Sequence, residues 1–113
     1  MNLPMTERVR TFFMAAAILF LFTAPLCAQG DAGSIYKARC ASCHGADGKG
    51  TTFMGKQTGV RDFASPEVQK EPDDELIGIT AKGKKNMPGY EKSLSGSQIK
   101  DLVSYIRGLA KKK

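Results

Sequence analysis

The sequence predicts an all-α domain of three to four short helices joined by loops. Three observations carry that expectation. Ile99, Leu102, Val103, Ile106 and Ala110 recur at i, i+3, i+4, i+7 and i+11, the period of one helix face. Ser65-Pro66-Glu67 and Ser95-Gly96-Ser97-Gln98 are helix starts, while no segment alternates as a strand would. Cys40-Ala41-Ser42-Cys43-His44 sets two thiols at i and i+3, on one side of a helix, with an imidazole directly behind them.

That last motif is C-x-x-C-H, the attachment pattern of a c-type haem. Cys40 and Cys43 can reach the two vinyl groups of one macrocycle and form thioethers. His44 can then place a ring nitrogen on the iron. Two other chemistries use such residues. Structural zinc takes four Cys or His ligands, and past Cys27 the chain offers only these three. A thioredoxin-like redox pair expects a βαβ setting, which the pattern does not provide.

The chain has 113 residues, room for one domain, and a formal net charge of +6. Its start has the layout of a secretory signal peptide. Arg8 and Arg10 precede an apolar run from Phe12 to Phe22, and Ala24-Pro25-Leu26-Cys27-Ala28 resembles a processing site. The run is shorter than the ~20 residues a membrane span needs. Cleavage is expected after Ala28, giving a signal peptide over 1–28 and a haem domain over 29–113. Lipidation of Cys27 would want a small residue before it, and Leu26 is large. An exported chain places the domain in the periplasm or another extracytoplasmic space, where haem is attached after translocation. A polypeptide this small has a marginal core, and a covalent macrocycle would supply an apolar centre.

Asp31 is the expected N-cap of a first helix over Ala32 to Cys43, with Ala32, Tyr36, Cys40 and Cys43 on one stripe. Tyr36 reads as a core aromatic, and Gly33 as either a close-approach point or a weak helix former. Gly45 to Gly59 holds five glycines and reads as a loop wrapping the haem edge. A carbonyl in it is expected to accept from the non-ligating nitrogen of His44. Ser65-Pro66 opens a helix of one or two turns that stops before Pro72. A second helix starts at Asp73, where Asp74 and Glu75 complement the helix dipole, buries Leu76, Ile77, Ile79, Thr80 and Ala81, and stops at Gly83. Ser95 and Gln98 form a capping box for the last helix.

Between those two helices, Gly83-Lys84-Lys85-Asn86-Met87-Pro88-Gly89 cannot be helical. His44 is the only histidine, so ligation by two histidines within the chain is excluded, and the available soft ligands are the thioethers of Met54 and Met87. Met54 lies ten residues after His44 in the wrapping loop. Met87 has enough intervening chain to pass around a haem, and Pro88 stiffens the segment beside it. Met87 is the expected ligand, and Met54 the alternative. Lys82, Lys84 and Lys85 beside it would form a basic rim for an acidic partner, or serve equally as solubilising charge.

These pieces together resemble the class I cytochrome c family, over essentially all of 29–113. The matching parts are a first helix ending in Cys40-Ala41-Ser42-Cys43-His44-Gly45, the Met87-Pro88 loop, and a last helix around Leu102-Val103-Ser104-Tyr105-Ile106. The resemblance implies a cytochrome c fold wrapped around one covalent haem c, with iron held by His44 and Met87. It also implies crossed first and last helices with Tyr36 and Tyr105 at their interface. The implied activity is outer-sphere transfer of single electrons between membrane or soluble redox proteins, not enzymatic catalysis. The expected partners are redox proteins with acidic docking surfaces, including transient membrane-complex contact. A monomer is expected, and nucleic acid is not. A haem-based gas sensor or a peroxidase is the rival activity, and would need a displaceable Met87.

Overall fold

Capping chemistry decides where most of the helices begin. The computed structural model describes residues 31–112, so the signal-peptide, Cys27 and cleavage-site expectations fall outside the described residues. Asp31 accepts from the amides of Gly33 (2.7 Å) and Ser34 (3.2 Å) and starts α1, Ala32–Arg39. The expected single helix to Cys43 is interrupted at Cys40, whose φ of −117° departs from regular helix geometry while ψ stays helical. The chain restarts as α2, Ala41–His44, with the Cys43 and His44 amides both donating to the Cys40 carbonyl.

The glycine-rich stretch is not wholly loop. Thr52 accepts from the Gly55 amide (2.9 Å) and starts a short helix, α3, Phe53–Thr58, which Gly59 closes in the left-handed region. Glycine content alone hid this turn, because the cap that makes it is one threonine. The same hydroxyl donates to the carbonyls of Ser42 (2.8 Å) and Cys43 (2.9 Å), pinning α3 to α2. α4, Pro66–Lys70, follows its Ser65 cap and ends before Pro72. α5, Asp73–Lys82, starts after Pro72 with no side-chain cap. The Asp73 carboxylate is taken instead by Arg107, which also donates to the carbonyls of Val68 and Glu71 at the end of α4.

α6, Gly96–Lys111, carries both halves of the capping box: Gln98 amide to Ser95 hydroxyl (3.2 Å) and Ser95 amide to Gln98 side chain (2.9 Å). It packs on α1 and α5 and organises two linked apolar clusters. Tyr36, Leu94, Ile99, Leu102 and Leu109 form one, and Val68, Leu76 and Val103 the other. Burying each such aliphatic side chain is worth about 1.5–3 kcal/mol relative to exposure. α1 meets α6 closely at Gly33, where a Cβ would stand 3.3 Å from the Tyr105 ring. Tyr36 and Tyr105 pack there with ring centroids 5.2 Å apart, as the resemblance implies. No strand is present among the described residues; Lys84 and Met87 form an isolated bridge. No helix among them is long and apolar enough to cross a membrane. The architecture is all-α, with α1, α5 and α6 around a cavity.

Candidate haem site

The cavity has a volume of about 320 Å³. Cys40, Cys43 and His44 enter it from the α1–α2 break, and Met87 and Pro88 from the loop after α5. Leu76 and Ile79 of α5, Leu102 and Ile106 of α6, and Val68 of α4 supply apolar wall. Arg39, Arg61, Lys84 and Lys85 are exposed and also reach its lining. All four residues singled out for the cofactor therefore line one chamber. Met54 does not: it sits on α3, 44 % exposed and outside the lining.

The break at Cys40 has a chemical consequence. Cys40 and Cys43 are free thiols, both partly buried. Burial pushes the Cys40 pKa above its ordinary value, so the group stays a protonated thiol near neutrality. His44 is held by its backbone from both sides. Its carbonyl accepts from the Gly50 amide (2.8 Å), and the Tyr36 hydroxyl donates to the next carbonyl, Gly45 (2.6 Å). Tyr36 was expected to be a core aromatic with no further task; its hydroxyl fixes the turn that carries His44. Burial raises its pKa, so it remains a donor.

The His44 side chain differs from expectation. No carbonyl of the Gly45–Gly59 stretch accepts from it, and its Nδ1 is buried without a hydrogen-bond partner among the described residues. The Phe63 ring stacks on the imidazole instead, with centroids 4.7 Å apart and planes 19° from parallel. Burial lowers the His44 pKa, which leaves a neutral ring with a lone pair for a metal. Phe63 was not legible as a site residue, because it precedes the Ser65 cap in a segment with no period. The amide hydrogen bond from Phe63 to the Gly48 carbonyl (3.0 Å) and the packing of its ring against Tyr36 bring it there.

The donor set fits haem c. It offers two free thiols three residues apart on the cavity lining, a neutral imidazole beside them, one thioether in the same chamber and an apolar wall. It does not fit structural zinc. Among the described residues, no group of three or more His, Cys, Asp and Glu side chains could hold a metal ion. Of the expected basic rim, Lys84 and Lys85 reach the cavity, whereas Lys82 lies outside the lining and approaches Glu91 at 3.8 Å. Arg39 and Arg61 complete the rim. Arg61 is held by a two-point contact with Glu71 (2.7 and 3.2 Å), which also lowers the Glu71 pKa.

Comparison with known proteins places this geometry. Residues 28–106 match the family model described as cytochrome c oxidase, cbb3-type, subunit III. Cytochrome c6 of Limnospira maxima is 32 % identical over 83 residues, covering 70 % of this chain and 90 % of that protein. The cytochrome c subunit of the quinone alcohol dehydrogenase of Gluconacetobacter polyoxogenes is 34 % identical over 101 residues, 75 % of this chain. The chain spans about a fifth of that subunit's length. The solved structure of the KustC0563 c-type cytochrome superposes with a TM-score of 0.66 at 33 % identity, over 71 % of this chain and 98 % of that one. With a C-x-x-C-H turn opening on an apolar chamber, and a match of that extent, the chain belongs to the class I cytochromes c, small electron carriers with one covalently bound haem c.

Proposed function

We propose that this chain shuttles single electrons between redox proteins in an extracytoplasmic space, reached through cleavage of a signal peptide over residues 1–28. The observation that carries this reading is the gathering of Cys40, Cys43, His44 and Met87 around one apolar cavity. When bound, the haem would supply an iron that holds or releases one electron, and a thioether ligand from Met87 would favour its reduced state. Cys40 and Cys43 tether the group at fixed depth. His44 and Met87 would hold the iron, His44 oriented by the Phe63 ring and by the Tyr36 contact to Gly45. The walls from Leu76, Leu102 and Ile106 exclude water, so little solvent has to reorganise when charge changes. Arg39, Lys84 and Lys85 around the lining attract an acidic partner into a short-lived encounter. The relatives that are subunits of the quinone alcohol dehydrogenase and of the cytochrome bc1 complex support docking to a redox assembly rather than catalysis by this chain.

The test is a visible absorption spectrum of the exported protein, made in a host that attaches haem. Sharp low-spin bands on reduction, and a weak far-red band from methionine sulfur on ferric iron, are expected. The far-red band should vanish in Met87→Ala and persist in Met54→Ala. A high-spin spectrum of the unmodified protein would overturn the reading in favour of a gas sensor or peroxidase.

A further inference from the structure

The segment that presents Met87 is bound to the end of α5 chiefly by backbone, with one exposed Lys82–Glu91 approach beside it. Gly83, with φ of +81°, leaves α5, and a Cβ there would stand 2.6 Å from the Met87 carbonyl oxygen and 2.8 Å from the Gly89 nitrogen. Six residues later the chain returns across the same place. A Cβ on Gly89 would stand 2.6 Å from the Lys82 carbonyl carbon and 2.7 Å from the Ala81 oxygen. Two glycines thus let main chain lie directly on main chain. Between them, Lys84 and Met87 exchange both backbone hydrogen bonds (3.1 and 3.0 Å), closing a tight turn with Lys85 at φ of +54°. Beyond Gly89, the amides of Tyr90 and Glu91 donate to the Thr80 and Ala81 carbonyls, both at 3.0 Å, and so satisfy the open end of α5.

We infer that Gly83 and Gly89 are positioning residues for Met87: together they form a clasp that fixes how far its thioether reaches into the cavity and keeps the loop shut. The inference rests on Met87 being the sixth ligand. It adds that this ligand is held by the α5 terminus, so a small molecule gains the iron only when the clasp opens. The apparent affinity of such a molecule then scales with the open fraction. A side chain at Gly89 has no place to go, because the atoms it meets are backbone. Gly89 has no positive φ, so alanine suits its own conformation and acts through that collision alone. Gly78, in the middle of α5 with nothing within 4 Å of a Cβ, is the matched control.

The experiment compares Gly89→Ala, Gly78→Ala and Met87→Ala in the haem-loaded protein. The readouts are the far-red ferric band and carbon monoxide titration of the reduced form. Gly89→Ala should lose most of the band and bind carbon monoxide at least about tenfold more tightly, while Gly78→Ala matches the unmodified protein. The clasp is overturned if Gly89→Ala keeps its band and still excludes carbon monoxide, showing only a lower melting temperature, or if Gly78→Ala loses the band as well. Retention of the band in Met87→Ala would overturn the ligand assignment itself, which separates that failure from failure of the clasp. Amide exchange in the unmodified protein gives a reading free of any folding defect. Tyr90 and Glu91 should exchange within about tenfold of the α6 core amides. Exchange there orders of magnitude faster would mean a freely opening loop and would sink the inference.

Discussion

α6 and the Met87 loop are fixed in opposite ways. α6 is held by side chains: Leu102 and Val103 are almost fully buried, and a capping box sets the start of the helix. The Met87 loop is held by main chain. Its apolar residue is only partly buried, and its neighbours Lys84, Lys85, Asn86 and Pro88 are exposed. Side-chain packing distributes its energy over many contacts and responds in proportion to the volume removed. Backbone contact at a glycine responds to any added atom, and otherwise hardly at all. One region therefore fixes whether the domain folds, and the other what the cavity can admit.

That difference can be tested from its largest expression downward. Leu102→Ala should cost about 2–5 kcal/mol in chemical denaturation, since it opens a void in the Tyr36 cluster and thins the cavity wall, yet leave the far-red band of the surviving folded protein in place. A variant that lost the band at low denaturant would show that α6 also governs the Met87 loop. Tyr36→Phe should cost about 1–3 kcal/mol, because the buried Gly45 carbonyl loses its donor while the ring keeps its packing on Tyr105. The accompanying shift should appear in the His44 resonances and not in those of Met87. Lys85→Gly should raise stability by up to about 1 kcal/mol, the relief of a left-handed lysine, with the band unchanged.

The smallest effect is electrostatic. Arg61 lowers the Glu71 pKa, so the folded state binds this proton less readily than the unfolded chain does. The stabilisation is present above the ordinary carboxylate value of 4.5 and is lost as pH falls through the lowered folded value. Glu71 and Arg61 are solvent-exposed enough for screening to keep the effect slight. Melting temperatures of Glu71→Gln and the unmodified protein should converge toward acid pH and separate slightly above it. A parallel offset across the whole range would assign the difference to packing instead.

Much of this was legible along the chain. The caps at Asp31, Ser65 and Ser95 are local chemistry, because donor and acceptor lie within three residues. The α6 stripe is a period, and periods survive without knowledge of any partner. Cys40, Cys43 and His44 were readable because covalent attachment demands a fixed spacing. Met87 was singled out because His44 is the sole histidine and because enough chain lies between the two, and it does line the cavity. The sequence did not show the break at Cys40, the Thr52 cap that makes α3, or the bare Nδ1 of His44 under the Phe63 ring.

By itself, then, the sequence determined what depends on near neighbours: helix starts, the apolar face of α6, the attachment motif and the candidate ligands. Tertiary structure decided what depends on distant chain meeting in space. Phe63 reaches His44 through Gly48, the Tyr36 hydroxyl finds Gly45, and Gly89 returns onto Lys82. Each is a contact of a single atom or ring, without period or fixed spacing. Its energy arises only once burial has removed water from both sides, and no local rule along the chain records that event.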